Sequence, residues 1–244
     1  TMQFICTQSW VPVRSEASSA SEMVSSLLFG ETCSLIEEKG EWINVSCNHD
    51  EYKGWIPLSY LRPASVIFTE WIRKVAVHGA VMQNSTGRID LSPGSIIPND
   101  LECNLSGSDF RYSDARAFEP ENADAAGLSM LFLHTPYLWG GRSVWGIDCS
   151  GLVQVVFGIL DKKLPRDASQ QANEGNKVSY SEKKSGDLAF FEKDGKITHV
   201  GIVLSDNHII HASGKVRIDF LTEAGIKNSE TGQNTHALSC IKRV

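Results

Sequence analysis

No stretch of this sequence is apolar for long enough to cross a bilayer. The first residues, Thr1-Met-Gln-Phe-Ile-Cys6, carry neither the charged lead nor the long apolar core of a secretory signal. Because Thr1 stands ahead of Met2, the native start is open. A cytoplasmic protein is expected if the chain begins here, and an exported one if a leader was removed. No pair among the six cysteines (Cys6, Cys33, Cys47, Cys103, Cys149 and Cys240) forms C-x-x-C, which excludes zinc-knuckle and thioredoxin-type motifs. Their wide dispersion does not call for a disulfide framework, and mostly reduced thiols are expected. Basic residues are not in excess: 23 Lys and Arg face 29 Asp and Glu, for a net charge of −6. A nucleic-acid partner would ordinarily demand a basic face, so none is expected.

The 244 residues, 41% hydrophobic and 21% charged, suit a soluble globular protein of one large domain or two to three small ones. Residues 1–62 read as short strands with turn signals every 8–12 residues, the pattern of a small barrel. The pieces are Val11-Pro-Val-Arg14, Met23–Phe29 ending at Gly30, Thr32–Ile36, Trp42-Ile-Asn-Val-Ser46, Gly54-Trp-Ile-Pro57 and Tyr60-Leu61. Their order resembles a bacterial SH3-like barrel. Residues 66–120 offer candidate strands at Val75–Val81, Gly87–Leu91, Gly94–Ile97 and Phe110–Tyr112, parted by turn signals. A degenerate second SH3-like barrel and a loop-rich linker both fit, and Pro120 marks a boundary. Residues 121–244 read as an α+β domain. Asn122 is a candidate cap for a helix over Ala123–His134. A meander then runs through Asp187–Phe191, Ile197–Leu204 and His208–Ala212.

The stretch that organises the chain is Tyr137-Leu-Trp-Gly-Gly-Arg-Ser-Val-Trp-Gly-Ile-Asp-Cys-Ser-Gly151. An apolar helix is expected immediately after it, over Leu152–Leu160, which puts Cys149 at a helix N-terminus. Free backbone N–H groups and the positive end of the helix dipole favour a thiolate there, so a lowered pKa and a nucleophilic sulfur are expected. A free cysteine is more often a small buried hydrophobe; the polar, turn-forming flanks of Cys149 argue against that. His199 shares a strand face with Ile197, Gly201 and Val203, suiting it to act as a general base. His211, on the next strand, is placed to orient it, with His208 a competitor that alternation turns to the opposite side. A satisfied core histidine is the plainer reading of each. His49 and His78 read as surface residues, while His134 and His236 carry no assignment.

Six motifs occur in order: Tyr137-x-Trp-Gly-Gly, Gly146-Ile-Asp-Cys-Ser-Gly151, Leu164-Pro-Arg-Asp167, Gly186-Asp-Leu-Ala-Phe-Phe191, Thr198-His-Val-Gly-Ile202 and Ile210-His-Ala212. Together they resemble the NlpC-type cysteine peptidases, a papain-like family acting on bacterial cell-wall peptides. With the SH3-like front, the chain is similar to the γ-D-glutamyl-L-diamino acid endopeptidase subgroup. The resemblance implies a papain-like C-terminal peptidase domain over 121–244, preceded by one or two small SH3-like β-barrels. It implies hydrolysis of murein peptides between γ-D-Glu and L-Lys or meso-diaminopimelate, with Cys149 as nucleophile, His199 as base and His211 as orienter. Tyr137 would support the oxyanion. Asp148 would bind the free amine of the L-Ala end, Trp139 would line the pocket, and Ser150 and Ser169 would contact the D-Glu carboxylate. Hydrophobic packing for Tyr137 and Trp139, and a helix N-cap for Asp148, are the plainer alternatives. In the first barrel Glu22 and Tyr52 are the candidates for reading the ammonium, with Glu16 a rival and plain surface the alternative. No metal or organic cofactor is called for, and a monomer is expected. The rival functions are an inactive cell-wall binding protein and a thioester acyltransferase on the same scaffold.

Overall fold

The computed structural model describes residues 2–64, 73–98, 102–105, 108–112 and 123–244. The chain forms two compact units, one of Thr1–Glu121 with Trp139–Val144 and one of Asn122–Leu138 with Trp145–Val244. The Trp139–Val144 segment thus packs with the first unit although its sequence neighbours on both sides belong to the second.

In the first unit, seven strands form one antiparallel sheet. They are β1 (Gln3–Cys6), β2 (Trp10–Arg14), β3 (Met23–Leu28), β4 (Thr32–Lys39), β5 (Trp42–Cys47), β6 (Lys53–Pro57) and β7 (Leu61–Pro63), in the order β3-β2-β6-β5-β4-β1-β7. Alternation along β2 and β5 turns Val11, Val13, Ile43, Val45 and Cys47 inward. They meet Phe4, Cys6, Leu27, Cys33, Ile56 and Leu61 in one apolar core, an SH3-like barrel interior. The three cysteines here are core filler, unpaired and apolar in their surroundings. A second, smaller core gathers Phe29, Val75, Ala80, Met82, Leu91, Ile97, Phe110 and Tyr112. It is built on β8 (Arg73–Lys74), β9 (Val81–Asn84), β10 (Gly87–Asp90), β11 (Ile96–Ile97), β12 (Glu102–Leu105) and β13 (Ser108–Tyr112). The strand expected over Val75–Val81 does not form; a turn at His78-Gly79 interrupts it, and only Val81 enters a strand. The boundary signal at Pro120 lies outside the described residues.

The Trp139–Val144 segment contributes β14 (Arg142–Ser143), which lies against β3. Gly140 has φ +77°, and a Cβ there would stand 2.5 Å from the Met23 carbonyl oxygen, so the close approach requires glycine. Arg142 is buried and forked onto Glu31, with Nη1 2.7 Å from Oε2 and Nη2 2.9 Å from Oε1, while Nη1 also donates to the Ser26 carbonyl. Burial drives the Glu31 carboxyl toward neutrality, but Arg142 and His49 outweigh it and hold the pKa below the ordinary value. His49 is therefore not a plain surface residue. It lies 3.2 Å from the Asp50 carboxylate and 3.8 Å from Glu31, both of which are buried.

The second unit begins with a short helix, α1 (Ala125–Ser129), followed by a turn of 3-10 helix over Met130–Phe132. Its cap is Asp124, whose carboxylate accepts from the Gly127 N–H at 2.7 Å; Asn122, the expected cap, lies outside the described residues. The helix is shorter than expected because the chain turns to 3-10 geometry before Leu133 and His134 takes φ +70°. After β15 (Gly146–Ile147) comes α2 (Cys149–Ile159), buried on nearly every face, then α3 (Ala168–Gln171). The sheet adds β16 (Asn176–Val178), β17 (Leu188–Lys193), β18 (Lys196–Val203), β19 (His208–Ser213), β20 (Lys215–Thr222), β21 (Gly225–Lys227) and β22 (Asn234–Arg243). Each of β17 to β22 pairs antiparallel with the next, and β22 returns to pair with β17, so these six strands close on themselves and leave no edge among them. Ala189, Phe191, Val203, Ile209, Leu221, Ile226 and Ile241 fill the interior. The helix α2 packs on β18 and β19. Among the described residues, no helix is long and apolar enough to cross a membrane.

Candidate active site

Asp148 begins α2 in extended conformation, and its Oδ1 accepts from the Gly151 N–H at 2.7 Å, a helix N-cap. Cys149 follows as the first helical residue and is 7% exposed. Its sulfur receives the backbone N–H groups of Val200 and Ser150, which pull its pKa down. Burial wins: together with the Asp148 charge it pushes the Cys149 thiol up to about 11. The expectation of a lowered pKa is thereby corrected. The helix start favours a thiolate, but the sulfur has been taken out of water and a carboxylate stands beside it.

The N–H that reaches Cys149 belongs to the residue after His199, so β18 brings that histidine to the helix start. His199 is 6% exposed, and burial, with His211 and His236 adding to it, holds its imidazole well below the ordinary value. Burial thus works on both groups toward the neutral form, raising the thiol and lowering the imidazole. Nε2 of His199 lies 2.8 Å from Nδ1 of His211, and Nε2 of His211 lies 2.9 Å from Oδ2 of Asp219. His211 pairs in register with Gly201, not with His199, so the two rings meet on the diagonal. Gly201 makes the room: a Cβ there would fall 2.9 Å from the His211 Cβ. By alternation His199, Gly201, Val203, Ile209, His211, Asp219 and Leu221 share one face, so the polar relay continues the apolar interior of the closed sheet.

Tyr137 is half-buried, and burial, together with the charges of Cys149 and Asp148, raises its phenol to about 12. Its hydroxyl keeps its proton and remains a donor. Asp148 carries more than the cap: Arg166 forks onto it, Nη2 at 2.5 Å from Oδ2 and Nη1 at 3.0 Å from Oδ1, and Arg166 Nη1 also donates to the Ser150 hydroxyl at 2.9 Å. All three side chains are buried. Ser169, by contrast, is exposed on α3. In the first unit the Trp139 indole N–H donates to Glu22 Oε1 at 2.6 Å. Tyr52 precedes β6 as Glu22 precedes β3; both strands run antiparallel to β2 between them, so the two residues lie at the same end of the sheet.

Sequence reasoning missed three participants. Asp219 sits one hairpin beyond His211, across a turn at Gly214, and an acid at an inward position of an apolar strand was its signal. His236 stacks on His199 with ring centroids 4.2 Å apart, though nothing near it in sequence pointed there. Arg166 stood in a quoted motif without a role. His208 packs on Phe220 instead of joining the relay.

Residues 134–234 match the NlpC/P60 family, and residues 13–61 match the bacterial dipeptidyl-peptidase Sh3 domain. Over 223 residues the chain is 32% identical to the γ-D-glutamyl-L-lysine dipeptidyl-peptidase of Bacillus subtilis (strain 168), covering 81% of this chain and 75% of that protein. The chain belongs to the NlpC/P60 family of cysteine peptidases. A second relative of this NlpC/P60 peptidase, the γ-D-glutamyl-L-lysine dipeptidyl-peptidase of Bacillus cereus (strain ATCC 10987 / NRS 248), is 25% identical over 229 residues, 79% of this chain and 68% of that one. Its fold is shared by the crystal structure of an NlpC/P60 family protein from Bacillus cereus ATCC 10987, which matches 99% of both chains at a TM-score of 0.83 and 19% identity. An NlpC/P60 endopeptidase from Photobacterium damselae subsp. piscicida matches 98% of this chain and 70% of its own at a TM-score of 0.71 and 18% identity.

Proposed function

We propose that this peptidase hydrolyses the bond between γ-D-Glu and the diamino acid of murein peptides that begin with a free L-Ala, releasing L-Ala-γ-D-Glu. The reading rests above all on the Cys149 sulfur at the head of α2, beside the strand that carries His199 and the His211–Asp219 relay. The likeness to two γ-D-glutamyl-L-lysine dipeptidyl-peptidases supports the substrate class.

Cys149 attacks the γ-glutamyl carbonyl as His199 takes the thiol proton. The developing oxyanion is met by the Cys149 backbone N–H and the Tyr137 hydroxyl. His199, now protonated, gives its proton to the leaving amine; it next takes a proton from the water that hydrolyses the thioester. His211 holds the His199 ring. Asp148 and the hydroxyls of Ser150 and Ser169 are assigned to the dipeptide's charged ends, with Trp139 as an apolar wall. Arg166 keeps Asp148 and Ser150 in place. In the first unit the Glu22 carboxylate, fixed by Trp139, and Tyr52 are assigned to the free ammonium. A peptide without that ammonium would leave a carboxylate without its charge partner, a costly mismatch.

The deciding experiment is mass spectrometry of products from L-Ala-γ-D-Glu-L-Lys and its N-acetylated twin. Release of L-Ala-γ-D-Glu from the free-amine peptide alone is expected. Cleavage of both peptides would discard the amine requirement. Cleavage of neither by folded, reduced protein, or an acyl-transfer product in place of free dipeptide, would overturn the proposal.

A further inference from the structure

We propose that Asp219 is a positioning residue that sets the tautomers of two successive imidazoles and so decides which nitrogen of His199 is the base. The inference rests on the reading of Cys149 and His199 as nucleophile and base.

Asp219 is 1% exposed, and its two oxygens have different sets of partners. Oδ1 accepts three hydrogen bonds: from the Ser229 backbone N–H at 2.8 Å, the Ser229 hydroxyl at 2.8 Å and Arg217 Nη2 at 3.0 Å. Two of these donors, the main-chain N–H and the guanidinium, cannot reverse their role. Oδ2 lies 2.9 Å from His211 Nε2, and Arg217 Nε approaches it at 2.9 Å as well. Burial works against the charge on Asp219, but the hydrogen bonds from His211, Ser229 and Arg217 prevail and hold the carboxyl below the ordinary range. An ionised carboxylate only accepts, so His211 Nε2 must carry a proton.

A neutral imidazole has one N–H, and with Nε2 protonated the His211 Nδ1 is a lone pair. That lone pair faces His199 Nε2 at 2.8 Å, so His199 donates from Nε2. The remaining nitrogen of His199, Nδ1, is then the one free to accept the thiol proton. Each hydrogen bond in the chain fixes the next, and the chain starts at Asp219. Of the other charged and titratable groups among the described residues, only Arg217 reaches the same carboxylate, and as a guanidinium it can only donate, which reinforces Asp219 as an acceptor. His236, from β22, stacks on the His199 face. Arg217 is paired to Asp219 and, at 3.5 Å, to Glu230, and Lys215 lies 3.9 Å from Glu230.

Asp219→Asn tests this sharply. The Oδ1 position keeps three donors against the one guanidinium nitrogen beside Oδ2, so the amide oxygen turns to the Oδ1 side and the amide NH2 faces His211 Nε2. That nitrogen becomes an acceptor, His211 Nδ1 takes the proton and donates to His199 Nε2, and His199 is left protonated on Nδ1, where the base is needed. The expected result is a fall in kcat on the order of a thousandfold or more with KM little changed, as when a triad carboxylate is made an amide. Nitrogen-15 NMR of the imidazoles should show Nε2–H on both His199 and His211 in the wild type and Nδ1–H on both in D219N. A merely structural Asp219 would lose stability without exchanging tautomers.

Wild-type His211 protonated on Nδ1 overturns the inference even if D219N fails to fold; so does a folded D219N enzyme with wild-type kcat. The tautomers are read without substrate, so a failure of the substrate assignment leaves this measurement standing. If Cys149→Ala still cleaves the peptide, the mechanism itself is what fails.

Discussion

Two buried clusters of charge-bearing side chains, one in each unit, do opposite things with the same raw material. Around Arg142 in the first unit, Glu31 and Asp50 are held as carboxylates with their charges answered directly. Around Cys149 in the second, burial pushes the thiol up and the His199 imidazole down, favouring the neutral form of each. The first arrangement is rigid because every move uncovers a charge in a low-dielectric interior. In the second, neither Cys149 nor His199 is held in its charged form, while the Asp219 carboxylate stands at the far end of the relay. Burial of ionisable groups is therefore not by itself a mark of function. What marks the second cluster is that both shifts favour the neutral form, whereas those around Arg142 favour the charged one.

The comparison can be broken most severely at the reactive end. Cys149→Ala should lower kcat on the order of a millionfold while changing stability by no more than about 1 kcal/mol, checked by steady-state kinetics and urea unfolding. Arg142→Met should do the reverse in kind. It strands the buried Glu31 carboxylate and should cost about 3–5 kcal/mol of stability, part of it recovered in Arg142→Met/Glu31→Leu, where only Asp50, still paired with His49, keeps its charge. If the single variant unfolds no earlier than wild type, the first cluster is not the clamp described here. Gly201→Ala comes next. The added Cβ must displace His211, and a misplacement of that size should lower kcat about a hundredfold with KM nearly unchanged.

The smallest effect concerns pH. With His199 as the proposed base and its pKa lowered, the acid limb of kcat/KM should lie below the ordinary imidazole value of about 6.5. His236 contributes to that lowering, so His236→Phe, which keeps a ring against His199, should move the limb upward. Stability carries the same sign. The unfolded His199 takes up a proton that the folded one refuses, so folding should weaken as pH falls through about 6.5.

Much of this was legible in order along the chain. Short strands between turn signals marked the first sheet, and an apolar run after Asp148-Cys149-Ser150 marked α2. Period-two alternation put His199 and His211 on core-facing strands. The helix over Ala123–His134 was overread because its apolar residues continue past the point where the backbone tightens into a 3-10 turn. The strand expected over Val75–Val81 fails because the His78-Gly79 turn prevails over the apolar residues around it. His236 was out of reach, since only closure of the six-stranded sheet carries β22 back beside β17 and the His199 ring. The pairing of Arg142 with Glu31 and of Trp139 with Glu22 joins residues more than a hundred positions apart, for which no local pattern exists.

By itself the sequence determined the reactive residue types, their order, and the strands and helix start that carry them, because local periodicity and capping chemistry are written in neighbouring residues. Only the tertiary structure decided the state of those residues. It took Cys149 and His199 out of water, which reversed the expected direction of the thiol pKa. It also brought Asp219 to the end of the relay, because desolvation and long-range hydrogen bonds exist only once distant strands have met.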